Sequence, residues 1–153
     1  MRLRIYIDTS VIGGCLNKEF KEASRKVIEK FKRREMIVVI SELTMLELKD
    51  APQQVQNILN EIPKESMEYV ELTEEAMDLA QKYISEGVIG EGKLVDAEHI
   101  AIATINRVDV LVSWNFRHIV NLEKIHGFNA VNLKMGHPLL EMRSPWEVII
   151  YEE

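Results

Sequence analysis

The sequence predicts an α/β sandwich of three layers: a parallel sheet flanked by helices. Three short apolar runs of strand length, Leu3 to Ile7, Met36 to Ile40 and Val110 to Val112, are separated by long stretches of helical periodicity. Strands spaced in this way need crossover connections, which make neighbouring strands parallel and put the helices on the sheet's faces. The length of 153 residues fits one domain covering residues 1–153.

Leu3 to Ile7 is rich in Ile and Tyr and runs into the polar Asp8-Thr9-Ser10, as a buried strand entering a turn does. From Glu19 to Arg34 the apolar residues Phe20, Ala23, Val27, Ile28 and Phe31 recur mostly at spacings of three and four, the period of an amphipathic helix. After the second strand, Ser41 is placed to cap a helix with Leu43, Leu46 and Met45 inward. Pro52 breaks it, and Val55, Ile58, Leu59 and Ile62 continue on another helical face. Tyr69 to Leu72 reads as extended. Thr73 then opens a helix whose first turn carries Glu74 and Glu75, facing the helix dipole. A glycine-rich loop from Gly87 to Gly92 precedes a nearly uncharged helix from Val95 to Ile105. Beyond the third strand the pattern suggests a helical turn or helix from Arg117 to His126, a weak strand from Ala130 to Leu133, and an edge strand or tail from Val148 to Tyr151.

Composition excludes several classes. Hydrophobic residues at 46% and charged residues at 29% are the mix of a folded globular chain rather than a disordered one. Nineteen Lys and Arg against 25 Asp and Glu leave a formal charge of −6, so a polyanion must find a local basic patch rather than the whole surface. Cys15 is the only cysteine, which rules out an intrachain disulfide and fits a reducing, cytoplasmic setting. No apolar run approaches the roughly 18 residues of a membrane span, and the first residues lack a secretory pattern.

In parallel sheets, functional groups gather beyond the carboxyl ends of the strands. Asp8 is presented there after the first strand, although Asp also suits a turn or helix cap. Ser113 and Asn115 end the third strand, where a hydroxyl and an amide oxygen can reach water or a metal; Asn115 equally suits a helix N-cap. Asp96 stands in the first turn of the apolar helix, able both to meet its dipole and to face an ion. His99 shares its face, but a lone histidine on a buried helix is more often packed and hydrogen-bonded than a ligand, so it supports a carboxylate at most. Glu47 by itself reads as a solvated helix glutamate.

Other signals fail on chemistry. Gly87 to Lys93 has the glycine and lysine spacing of a phosphate loop, but Leu94 replaces the required Ser or Thr and a helix, not a strand, precedes it. One cysteine and four dispersed histidines make no zinc motif, and no serine elbow exists. Carboxylates from three separated segments remain, the donors that hard cations such as Mg²⁺ or Mn²⁺ use together with water and substrate phosphate.

Four segments, Tyr6-Ile-Asp8-Thr-Ser-Val, Ser41-Glu-Leu-Thr-Met-Leu-Glu47-Leu, Leu94-Val-Asp96-Ala-Glu-His-Ile-Ala-Ile-Ala103 and Asp109-Val-Leu-Val-Ser113-Trp-Asn115-Phe-Arg-His-Ile, occur in the order seen in PIN-domain ribonucleases. The chain resembles that family from Ile5 to about Leu133, and within it toxins of the VapC type. The resemblance implies hydrolysis of RNA with one or two Mg²⁺ or Mn²⁺ ions. By position, Asp8, Glu47 and Asp96 become the catalytic, metal-holding carboxylates, with Thr9 or Ser10 and Ser113 supporting them. Asn115 stands where many relatives carry aspartate; three carboxylates suffice for one ion and leave a second metal site in question. Arg117 is then the residue to bind substrate phosphate, whereas Lys30, Lys32, Arg33 and Arg34 read as a solvated helix end. RNA, a protein antitoxin and a second copy of the chain are the expected partners, with no membrane. Two other readings share parts of this pattern. A non-catalytic module of the same fold has Asn115 as its only hint, and a haloacid-dehalogenase-like phosphatase would need a second Asp where Ser10 stands.

Overall fold

In the computed structural model, which describes residues 1–149, alternation along the strands divides the apolar residues between two cores. On β1 (Arg4–Ile7), Ile5 and Ile7 face one side and Tyr6 the other; on β2 (Ile37–Ser41), Val38 and Ile40 join the first group and Val39 the second. β3 (Met67–Val70), β4 (Val110–Val112) and β5 (Met142–Arg143) complete a five-stranded sheet in the order β3-β2-β1-β4-β5, parallel throughout.

One face is covered by α1 (Thr9–Gly14), α2 (Lys21–Lys32), α4 (Gln53–Asn60) and α8 (Pro145–Ile149), through residues such as Val11, Val27, Val55 and Val148. The other is covered by α5 (Glu74–Ser85), α6 (Leu94–Ile105) and α7 (Leu122–Lys134), through Tyr83, Ile100 and Phe128. The three expected layers follow from this split. Between β2 and α4, α3 (Glu42–Leu48) sends Leu43 into one core and Leu48 into the other. Among the described residues no helix is long and apolar enough to cross a membrane.

Local capping sets the helix starts. The Ser41 and Thr73 hydroxyls accept from the backbone N–H groups of Thr44 and Ala76, each satisfying a donor the first turn cannot. Cys15 is buried, and burial pushes its thiol up to about 11, the behaviour of an inert core residue.

Several expectations are corrected. Met45 and Leu46 are exposed, because the short α3 turns Leu43, Thr44 and Leu48 inward instead. Residues 116–119 form a turn, and α7 starts only at Leu122, where the Asn121 side chain accepts from the Lys124 N–H. Ala130 to Leu133, expected as a strand, lies inside α7: Val131 and Asn132 are buried while Leu133 is exposed, a one-sided pattern that a helix satisfies. The remaining strand is β5, only two residues long and too short for a periodicity to show. Val148 and Ile149 belong to α8; Tyr151 lies outside the described residues.

Because β1 is central and the chain fills β2 and β3 on one side before β4 and β5 on the other, strand order reverses between β1 and β4. The register pairs Ile7 with Val112, so Asp8 and Ser113 leave the sheet side by side at that switch point. α1 departs there against α2 and the Trp114 ring, an approach that leaves no room for a side chain at Gly14: a Cβ would strike Ser24 Oγ and Trp114 Nε1. Gly14→Ala is expected to break the 2.8 Å Trp114 Nε1–Ser24 Oγ bond and to destabilise the protein by about 1–3 kcal/mol in thermal unfolding. An unchanged melting temperature would show that the helix can shift without cost.

Candidate active site

At the switch point the Asp8 carboxylate is 7% exposed and held from three directions. Oδ1 accepts from the Ser10 N–H at 3.1 Å and the Ser10 hydroxyl at 2.5 Å, and Oδ2 accepts from the Ser113 hydroxyl at 2.6 Å. Asp8 is therefore the N-cap of α1, the cap reading offered by the sequence, and its carboxylate stands at the carboxyl edge of the sheet. The serines are fixed in turn: Ser10 Oγ accepts from the Trp114 N–H at 3.0 Å, and Ser113 Oγ accepts from the Asn115 N–H at 3.0 Å. Deleting either hydroxyl would leave a backbone donor and a buried carboxylate oxygen each short of a partner.

Glu47 reaches the same edge from α3. Its Oε1 accepts from the Thr9 hydroxyl at 2.7 Å and pairs with His99 Nε2 at 2.9 Å. Burial works against the Glu47 charge, but the bonds from His99 and Thr9 outweigh it and hold the carboxyl below its ordinary range. The buried His99 is held on its other side too. Nδ1 lies 2.6 Å from the Tyr6 hydroxyl, which donates to Ser41 Oγ at 2.7 Å. Turning the imidazole would break contacts to both neighbours. The sequence placed His99 on the Asp96 face, but its partner is Glu47, from a segment 52 positions away. Tyr6 carried no sequence signal beyond that of a core strand residue.

Asp96 differs from both. Half-buried in the first turn of α6, its carboxylate makes no hydrogen bond or ion pair among the described residues. Burial raises its pKa first and the Asp8 charge raises it further, against the lowering influence of His99, His118 and Lys93. The Asp8–Asp96 coupling brings β1 and α6 to one locus. His118, dismissed in the sequence for lacking zinc spacing, is among the charges that bear on it.

Asn115 is engaged as a cap, its amide oxygen accepting from the His118 N–H at 2.9 Å, although it closes the turn at 116–119 rather than opening a helix. Arg117 is exposed, with no ion pair among the described residues. The other basic cluster is neutralised locally: Lys32 and Arg33 pair with Glu29, and Arg34 with Glu65.

No protein-family model and no curated protein matches the sequence. Solved structures do match. FitAcB from Neisseria gonorrhoeae aligns with a TM-score of 0.59 at 16% identity, covering 93% of this chain and 98% of that one. VapBC2 from Rickettsia felis, bound to a DNA fragment from its promoter, gives 0.57 at 14%, over 93% and 98% of the two chains. A sarcin-ricin loop cleaving VapC toxin from Mycobacterium tuberculosis gives 0.56 at 11%, over 74% and 92%. The fold is that of the VapC-type PIN domain. Within this PIN fold, Asp8, Ser10, Ser113 and Asn115 form one hydrogen-bonded group at the carboxyl edge of the sheet, Thr9 and Glu47 form a second beside it, and Asp96 is coupled to Asp8 by charge alone.

The donor set is chemically suited to a hard divalent cation, being carboxylate oxygens around a half-buried Asp96 that has charge to neutralise. Among the described residues, no three His, Cys, Asp or Glu side chains are close enough to form a ligand group by themselves. Two carboxylates completed by water and substrate phosphate are nevertheless the usual Mg²⁺ arrangement.

The two perturbed carboxylates give predictions of opposite sign for the metal-free protein in chelating buffer. The folded state raises the Asp96 pKa, so ionised Asp96 weakens the fold at neutral pH. Asp96→Asn should therefore raise the melting temperature at pH 7, the gain fading as pH falls and aspartate becomes neutral. The Glu47 pKa is depressed, so its charge adds stability that is lost as pH falls through the lowered pKa. Glu47→Gln should lower the melting temperature at pH 7 by less than about 1 kcal/mol equivalent, since solvent screens a half-exposed group, and should match the parent in acid. A stabilising Glu47→Gln or a destabilising Asp96→Asn at neutral pH would contradict these assignments.

Proposed function

We propose that the protein is a divalent-metal-dependent ribonuclease that hydrolyses RNA phosphodiester bonds and acts as the toxin of a toxin–antitoxin pair. The observation that carries this reading is the Asp8 clamp. A carboxylate fixed by Ser10 and Ser113 at the point of strand reversal adds to burial in raising the pKa of Asp96, which makes no hydrogen bond or ion pair among the described residues, so two carboxylates are kept together at an electrostatic cost. Proteins maintain such strain at functional sites. The likeness to VapC and FitB structures adds support at the level of fold.

Asp8 and Asp96 would hold the ion, with Glu47 able to reach the same edge. A Mg²⁺ or Mn²⁺ ion bound there would offset charge on the scissile phosphate and lower the pKa of an attacking water. The chain's own part is positioning. The two serines keep Asp8 from rotating, and the Thr9 and His99 contacts hold Glu47 ionised and aimed, so that it can orient a water by accepting its hydrogen bond. Arg117 extends from the turn after β4 to meet a backbone phosphate. No covalent intermediate with the protein is required.

The phosphatase alternative lacks its second aspartate. Ser10 fills that position and uses its hydroxyl on Asp8. The non-catalytic alternative is separated by activity. Asp8→Asn and Asp96→Asn should each abolish metal-dependent cleavage of RNA by purified protein while the fold survives. EDTA should stop cleavage, and Mn²⁺ or Mg²⁺ should restore it better than Zn²⁺. Cleavage that survives exhaustive chelation, or near-normal cleavage by Asp8→Asn, would refute the mechanism.

Arg117→Ala should weaken RNA binding more than Arg33→Ala, because Arg33 already pairs with Glu29 whereas Arg117 lies near the site. The difference should shrink at high salt. Equal effects would remove Arg117 from the binding surface.

A further inference from the structure

Aromatic residues make up only 7% of the chain, yet both of its tryptophans meet two phenylalanines beside the site. Phe20 stacks on Trp114 with ring centroids 4.1 Å apart and an interplanar angle of 20°. Trp114 meets Trp146 edge-on at 4.7 Å, and the Trp146 and Phe116 rings lie nearly parallel, 19° apart in plane, at 6.1 Å. Tyr6, Tyr83, Phe31 and Phe128 are fully buried, and Tyr69 on β3 is exposed but takes no part in this cluster. Trp146 and Phe116 are not: they remain 45% and 41% exposed.

Their backing is rigid. Trp114 is 6% exposed, its ring N–H donates to Ser24 Oγ, and its backbone N–H donates to Ser10 Oγ, the hydroxyl that also holds Asp8. The cluster is therefore tied to the candidate active site through one serine. Trp146 arrives from α8, directly after β5, and Phe116 from the turn after β4, so both come from the sheet's carboxyl edge. Two half-exposed, nearly parallel rings on a fixed aromatic base offer apolar π faces of low conformational entropy, and Arg117, next in sequence to Phe116, adds an exposed cation. Flat π surfaces beside a positive charge, adjoining a phosphodiester site, suit unpaired nucleobases. Duplex RNA hides its base faces and is recognised through backbone and groove.

We propose that Trp146 and Phe116, supported by Trp114, form a stacking platform for an unpaired base of single-stranded RNA next to the scissile phosphate. This inference rests on the ribonuclease reading of the site and specifies its substrate class. The alternative occupants of the platform are a partner protein and a second copy of the chain.

The test is binding in EDTA, where the metal-dependent reaction is silent and the RNA stays intact. A short mixed-sequence single-stranded RNA should quench tryptophan emission, since both tryptophans lie in the cluster. An abasic ribose-phosphate strand of equal length and a duplex of the same sequence should bind about ten-fold more weakly by anisotropy. Trp146→Leu and Phe116→Leu should each weaken binding of the single strand about five-fold, with the melting temperature recording fold integrity, and Trp146→Phe should recover most of the affinity. In metal-dependent cleavage, the same leucine variants should raise KM more than they lower kcat. Equal affinity for the abasic strand, or unchanged affinity in both folded leucine variants, would overturn the platform. Loss of self-association in sedimentation with RNA affinity retained would assign the rings to a second copy instead. If the parent protein cleaves RNA and the variants bind it normally, only the platform falls. If the parent neither binds nor cleaves RNA, the ribonuclease reading falls with it.

Discussion

The bond from the Ser113 hydroxyl to Asp8 Oδ2 joins β1 to β4 just beyond their last paired residues, and the site depends on it. It crosses the point where strand order reverses, so it links the two halves of the sheet at their open edge. One side of the clamp starts α1, because Asp8 caps that helix. The other begins the turn after β4, because Ser113 Oγ also accepts from Asn115 N–H. Sharing the groups makes the orientation of Asp8 part of the fold.

The three acidic residues solve the problem of negative charge in different ways. Asp8 is satisfied by hydroxyl and backbone donors, Glu47 by Thr9 and by a histidine held in place through Tyr6, and Asp96 by no hydrogen bond among the described residues. The graded arrangement leaves the deficit on Asp96, where burial and the Asp8 charge add together. A cation entering there would relieve the most strained member while leaving the hydrogen bonds of the other two intact.

The negative formal charge of the chain is consistent with an RNA substrate because the basic residues are unequally committed. Those at the end of α2 are paired with glutamates, so they contribute little outward field, whereas Arg117 is exposed near the site. Local placement, not the total, determines where a polyanion is met.

Much of this was legible in the sequence. The apolar runs at β1, β2 and β4, the helical periods of α2 and α5, and the caps at Ser41 and Thr73 depend on neighbours in the chain, so reading along it recovers them. Asp8 and Ser113 were legible for the same reason, as the residues next after apolar strands. The α7 segment misread as a strand and the two-residue β5 were not, because a short apolar stretch fits either period and β5 is strand only through pairing with β4. The pairing of His99 with Glu47, the coupling of Asp96 to Asp8, the use of Asn115 as a turn cap and the meeting of Trp114 with Trp146 joined segments with no local signal in common. The sequence determined which residue types stand at the ends of strands, since that follows from hydrophobic burial along a short run. Only the tertiary structure decided which of them share a hydrogen bond or a charge, because those energies act over a few ångströms and crossover connections set the distances.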